Sequence, residues 1–299
     1  MLYGLCAVAG MITVVIIAAV AYQVISGASP AISRFGLGFL WHTTWEPNLY
    51  RFGAGEMLFA TLVTSFMALL LATPLGIAIG LFLSMLAPRG VRTVIGPLVE
   101  MLAAIPSVIL GLWGVIVLAP LVQRVEPALN SALGFIPLFG SPQTTGLSVF
   151  TAGLILTIMV VPIVASLSRD LFLAVPRELQ EGAAALGATR WEVIRGVVLP
   201  TTSSGVVAAA LLGLGRALGE AVAVASVIGG GGTIQASMFQ PGTTFAARII
   251  DEFGSLDNKL HLAALFYCAL ILLVIGVLTN LAAQFIGGRL GGDQAMLVR

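Results

Sequence analysis

From Arg169 to Pro200 the chain reads RDLFLAVPRELQEGAAALGATRWEVIRGVVLP, a polar interlude between long apolar runs. Its signals describe two short helices joined by a turn. Pro176 suits the first turn of a helix, where a missing N–H costs nothing, and Gly187 suits a C-terminal cap. Thr189 opens T-x-x-E with Glu192, a capping box in which hydroxyl and carboxylate each satisfy the other's backbone amide. Pro200 is expected to close the second helix. The first helix sets Glu178 and Glu181 beside the small Ala183, Ala184 and Ala185, a surface that another protein's backbone can approach closely. On these signals alone the segment is either a docking element or a solvated hairpin between two apolar spans.

The sequence on either side is that of a membrane protein. Hydrophobic residues make up 59% of the 299 positions and charged residues only 9%, against about 25% charged in a soluble domain. Fourteen Lys plus Arg nearly cancel 13 Asp plus Glu, and no basic stripe follows a phosphate backbone, so nucleic acid is not an expected partner. A first span is read over 1–25, and five more follow near 57–86, 94–122, 147–168, 205–228 and 260–286. Each approaches or exceeds the roughly 20 apolar residues that cross a bilayer. The fold expected is an all-α polytopic protein with six transmembrane helices, one transmembrane domain over 1–299. Pro106, Pro120, Gly96, Gly111 and Gly114 make the third span the least regular, with a kink or re-entrant break expected.

Lys and Arg accumulate in cytoplasmic loops. With 169–204 inside, Arg89, Arg92, Arg169, Arg177, Arg190, Arg195, Arg289 and Arg299 lie inside, and Arg34, Arg51, Arg124, Arg248 and Lys259 outside. Both termini are then cytoplasmic. The outer loops are 26–56 and 229–259, and no loop is large enough for a catalytic domain. Met1 stands almost at the first helix, so a short natural leader is expected to be missing, which leaves the topology unchanged. Cys6 and Cys268 sit in apolar runs as small hydrophobes and define no redox compartment.

Span five reads GLGRALGEAVAVASVIGG, with Arg216 near its middle and Glu220 one turn on. A helix starting near Gly205 would carry Arg216 about 16 Å deep at ~1.5 Å per residue. Inserting a guanidinium there costs at least ~2.5 kcal/mol, so such a residue faces a bundle interior or an aqueous path. An i,i+4 salt bridge that locks the bundle is one reading. Arg preceding Glu is the poorer order for such a pair, however, and the planar guanidinium fork is well shaped to grip a tetrahedral oxyanion. Gly213, Gly215, Ala217, Gly219 and Ala221 around the pair allow a second helix or subunit to pack closely. Glu220 either holds Arg216 or accepts a proton from a partly protonated anion. Glu100, ~9 Å into span three by the same rise, is a second candidate on the path, or a snorkelling residue. Gly229–Gly232 matches no phosphate-cradling spacing and reads as a flexible exit turn. Lys259, the only lysine, follows Asn258, so no Walker A motif exists and ATP falls to another subunit. His42 and His261 are isolated and read as interfacial, and no residue set suggests a metal or a catalytic nucleophile.

Glu181-Gly182-Ala183, then Gly187, then Leu199-Pro200 resemble the EAA signature, E-A-A-x3-G-x9-I-x-L-P, of bacterial ABC-importer permeases of the MetI-like family. Gly182 stands where Ala is usual and Val197 where Ile is usual. The resemblance implies type I importer permease architecture, a permease core over 57–286 and a cytoplasmic coupling loop over 169–204. Glu178, Glu181, Gly182, Ala183, Gly187 and Arg190 would then engage the ATPase.

WEP at 45–47, FGAGEMLFATLVTS at 52–65, EMLAAIPSVILGLWG at 100–114 and GRALGEAVAV at 215–224 further resemble the PstC-type subunit of phosphate ABC transporters. Ala221, where Thr is common, and Gly230, where Gly-Asn is frequent, depart from that pattern. The resemblance implies a non-enzymatic permease subunit of the bacterial inner membrane, importing phosphate by alternating access. It implies a PstA-type permease partner, a PstB-type ATPase dimer carrying ATP and Mg, and an extracytoplasmic phosphate-binding protein. The chain itself would hold no cofactor, and Arg216, Glu220 and Glu100 would border the substrate path. R-A-L-G-E strings also occur in sulfate and molybdate permeases, which leaves another oxyanion as the alternative cargo. A phosphate-sensing role is equally compatible, whereas an intramembrane enzyme built on Arg216 and Glu220 would lack a nucleophile.

Overall fold

The computed structural model describes residues 2–297 except 143, 232–235 and 257, with side chains described over 4–286. The helices, in chain order, are α1 Leu2–Phe35, α2 Gly55–Leu81, α3 Arg89–Ala103, α4 Ser107–Trp113, α5 Ala119–Leu133 and α6 Val149–Leu173. There follow α7 Arg177–Ala185, α8 Arg190–Val193, α9 Leu199–Gly219, α10 Val222–Val227, α11 Phe245–Glu252 and α12 Lys259–Leu297. Short π-turns at 82–86, 114–118 and 194–198 interrupt or end three of the long rods. Six helical stretches among the described residues are long and apolar enough to cross a membrane.

Small residues let the rods pack. A Cβ on Gly76 would come within 2.7 Å of Val164 Cβ, and one on Gly80 within 3.0 Å of the Arg169 backbone nitrogen. α2 and α6 therefore run side by side at nearly backbone contact, as bundles in lipid require when dispersion rather than water drives association. α9 runs antiparallel to α6, with Gly205 against Leu171 and Gly213 against Val160. The apolar core lies between these rods, with Ala68, Ala72, Ile155, Leu156, Val160 and Val164 among its buried members. Gly27 against Phe266 joins α1 to α12, while the most apolar stretch of α1 is unburied and left to the hydrocarbon.

Four sequence-based boundaries change. The first span does not end at 25: α1 continues to Phe35, and Ser26 and Ser33 satisfy their hydroxyls on carbonyls three residues back. The third span starts at Ser107 rather than 94, because Pro106 has no N–H to give the preceding turn and disfavours helical dihedrals at Ile105. Residues 89–103 form a separate helix, α3. Pro200 does not close the second hairpin helix; it follows the π-turn at 194–198, whose altered register absorbs the missing donor, so 190–219 is one rod. Pro120 after the π-turn at 114–118 does the same in span three. The fifth span breaks after Gly219, and α10 is a separate short helix rather than its continuation to 228.

Candidate functional site

Arg216 lies in the last turn of α9, and Glu220 is the residue at which the helix breaks, with extended dihedrals of φ −74° and ψ 119°. The carboxylate uses both oxygens. Oε1 accepts from the Ala223 backbone N–H at 3.3 Å, at the start of α10, and Oε2 stands 3.6 Å from Arg216 Nη2. The Arg216 side chain is 46% exposed and that of Glu220 only 6%. The second distance exceeds the 2.7–2.9 Å of a closed charge-assisted hydrogen bond, so the carboxylate does not saturate the guanidinium. Gly213, one turn earlier, abuts Val160 and Val164, which lie midway along α6. Arg216 is therefore at mid-bundle depth, where a charge is most expensive.

A second break sits at the same level. Cβ atoms on Gly111 and Gly114 would meet Ala223 and Ser226, and Val227, respectively, so α4 and α10 rise together from the two interruptions. Followed back one turn, this register sets the Ile105–Ser107 break beside Gly219 and Glu220. Two discontinuous helices thus flank one exposed guanidinium. Glu100 is not brought to this point. It lies on α3, half exposed, and pairs instead with Arg169 of α6 at 2.8 Å.

The hairpin has its caps. Thr189 Oγ1 accepts from the Glu192 N–H, Glu192 Oε2 accepts from the Thr189 N–H at 2.7 Å, and Gly187 has a left-handed φ of 91°. Glu178, Glu181, Gly182, Gly187 and Arg190 are exposed, while Ala183 packs partly into a small core with Phe172, Val175 and Val193. A cleft of about 250 Å³ lined by Met85, Gln180, Glu181, Ala184 and Arg190 opens between the hairpin and the end of α2. Leu186 is 92% exposed, and Leu179 and Trp191 are also open. These three apolar side chains escaped the sequence reading, although their position on a polar hairpin was a signal.

At the opposite end the sequence reading missed a network. Glu252 gathers Trp45 Nε1 at 2.8 Å, Arg248 Nη1 at 2.8 Å and His261 Nε2 at 2.6 Å. His261, near the start of α12, is buried and stacked on Phe52, so it is isolated in sequence but not in space; His42 is exposed. Arg248 also donates to the Gly231 carbonyl at 2.8 Å, pinning the turn that follows α10. Gly229 and Gly230 have positive φ there, while Gly232 lies outside the described residues. Glu56, in the first turn of α2, is 3% exposed, and its Oε1 has no hydrogen-bond partner among the described residues. A Cβ on Gly231 would approach that oxygen to 2.5 Å and the Gly242 Cα to 2.9 Å, and the backbone contact is the one that favours glycine in this turn.

The molecule is a multi-pass helical bundle with a capped polar hairpin at one end and an arginine at a mid-depth helix break. Residues 72–292 match the family described as binding-protein-dependent transport system inner membrane component, and the chain belongs to that family. It is 44% identical over 264 residues, 87% of this chain and 82% of the other, to the phosphate transport system permease protein PstC of Pasteurella multocida. It is 42% identical to PstC of Mesorhizobium japonicum over 93% of this chain and 86% of that one, and 39% identical to PstC 2 of Mycobacterium tuberculosis over 95% and 90%. Among solved structures, a bacterial alginate ABC transporter aligns over 95% of this chain and 94% of its own with TM-score 0.61 and 16% identity. The MetNI methionine ABC transporter in inward-facing form aligns over 80% and 94% with TM-score 0.53 and 20% identity. These two likenesses are of fold. The chain is a multi-pass inner-membrane permease component.

Proposed function

We propose that this chain is the membrane-spanning subunit of an ATP-driven phosphate importer and that Arg216 is the transient foothold for the anion. The observation that carries the cargo is the 44% identity, over most of both chains, to a permease named for phosphate transport. The foothold rests on the half-exposed guanidinium at mid-depth between two broken helices. A planar fork of donors that stays charged suits a tetrahedral oxyanion, and half exposure keeps the grip weak enough for release.

The remaining parts follow from this reading. A PstA-type permease completes the pathway, a PstB-type ATPase dimer binds ATP and Mg, and an extracytoplasmic binding protein delivers phosphate. The ATPase takes the hairpin at Glu178, Glu181, Gly182, Ala183, Gly187 and Arg190, with Leu186 and Trp191 supplying apolar contact. Both termini and the hairpin are then cytoplasmic. Glu100, neutralised by Arg169, borders the inner part of the path, and closure of the ATPases rocks the bundle between outward and inward openings.

The test is ATP-dependent phosphate uptake in cells lacking their own high-affinity system, supplied with the cognate partners. Arg216→Ala is expected to assemble with the ATPase yet lose uptake, with sulfate ineffective as competitor. Normal uptake by an assembled Arg216→Ala complex would make the Arg216–Glu220 pair structural. Uptake blocked by sulfate would move the cargo to another oxyanion.

A further inference from the structure

The Arg216–Glu220 pair is asymmetric in a way that a simple anion foothold does not require. Arg216 is half exposed, whereas Glu220 is buried and anchored through Oε1 to the Ala223 N–H. Oε1 closes the first turn of α10 through the Ala223 N–H, which holds the carboxylate in place when an anion arrives. An oxyanion held through Arg216 Nη2 therefore meets a fixed negative oxygen, Glu220 Oε2, which stands beside that same nitrogen at 3.6 Å. For a fully deprotonated anion this is repulsion at short range in a medium of low dielectric. For an anion that still carries a hydroxyl, the same oxygen is a hydrogen-bond acceptor for the anion's own proton.

We propose that Glu220 is the specificity-determining residue of the foothold: its Oε2 accepts a hydrogen bond from a protonated oxyanion and rejects oxyanions that carry no proton. Phosphate and arsenate retain protons near neutral pH, and sulfate does not. The rejection follows from chemistry rather than size. A site built with a buried acceptor excludes an analogue lacking the donor far better than a steric fit excludes one of equal volume. The proposal rests on the reading of Arg216 as the foothold. It assigns the permease its own filter, acting after any selection by a delivering protein.

The experiment uses the assembled permease–ATPase complex in detergent, without a binding protein, and reads weak binding of inorganic phosphate as broadening of its phosphorus NMR line. In the wild type, arsenate is expected to relieve the broadening and a large excess of sulfate to leave it. Glu220→Gln keeps an oxygen for the Ala223 N–H, and so preserves the helix break, but removes the fixed charge. In that variant the effectiveness of sulfate as competitor is expected to rise by at least about tenfold. Sulfate competing as well as arsenate in the wild type overturns the proposal without recourse to any variant, and so does Glu220→Gln assembling with unchanged selectivity. Arg216→Ala separates the two levels of argument. If it abolishes the broadening while selectivity is indifferent to Glu220, only the filter fails; if it binds phosphate normally, the foothold itself fails.

Discussion

Trp45 donates its indole N–H to Glu252 Oε2 at 2.8 Å across 207 positions of sequence, tying the segment after the first span to the helix before the last. The same carboxylate takes Arg248 and His261, and Arg248 holds Gly231 in the turn after α10. The far end of the bundle is thus braced around one acidic residue, in direct continuity with the helix break that carries Glu220.

Removing one strut weakens that brace. Trp45→Phe keeps the ring contacts with Phe39 and Phe52 but loses a hydrogen bond to a charged acceptor. The expected loss is about 1–2 kcal/mol, seen as a lower melting temperature of the purified complex. Glu252→Leu is expected to cost more, since it removes the carboxylate that the mostly buried Arg248 pairs with at 2.8 Å.

The α2–α6 contact is set by absent side chains. Gly76→Val drives a branched side chain into Val164, and overpacking of this kind costs about 1–3 kcal/mol. Its thermal midpoint and its yield of assembled complex are expected to fall together. Gly10→Val in α1 is the internal control, because a Cβ there meets nothing within 4 Å.

The hairpin offers two glycines with opposite expectations. Gly182 lies inside α7, and its replacement by Ala is expected to stabilise the helix by up to ~1 kcal/mol. Gly187 holds φ at 91°, so Gly187→Ala is expected to cost about 1–2 kcal/mol. Hydrogen exchange of segment 177–193 measures both: slower for the first variant and faster for the second.

Glu100 and Arg216 are separated by their effects on rate. Glu100→Gln removes one of the two carboxylates paired with Arg169, Asp170 at 3.3 Å being the other, and on the proposed path exposes more of its positive charge to the anion. Phosphate uptake is expected to slow by less than about tenfold, ~1.4 kcal/mol. Arg216→Ala is expected to abolish uptake in the same assay. A loss in Glu100→Gln as deep as in Arg216→Ala would move the foothold to α3.

Much of this molecule is legible in residue order alone. Six apolar runs, the Thr189–Glu192 capping box, the Gly187 cap and a costly Arg216 in an apolar helix all depend on interactions within a few residues of one another, or on transfer from water to lipid. Each is decided by local dihedrals, i to i+4 hydrogen bonds and hydropathy. Tertiary structure decided the rest. Whether Pro106 or Pro120 would break a helix depended on the π-turn available at 114–118, and the break after Gly219 depended on Glu220 finding the Ala223 amide. The partnership of Trp45, His261 and Arg248 around Glu252, the burial of Glu56 under Gly231 and the alignment of two helix breaks beside Arg216 join residues far apart in sequence. Such contacts exist only once helix faces have met, and which faces meet is a property of the packed bundle, not of any segment read alone.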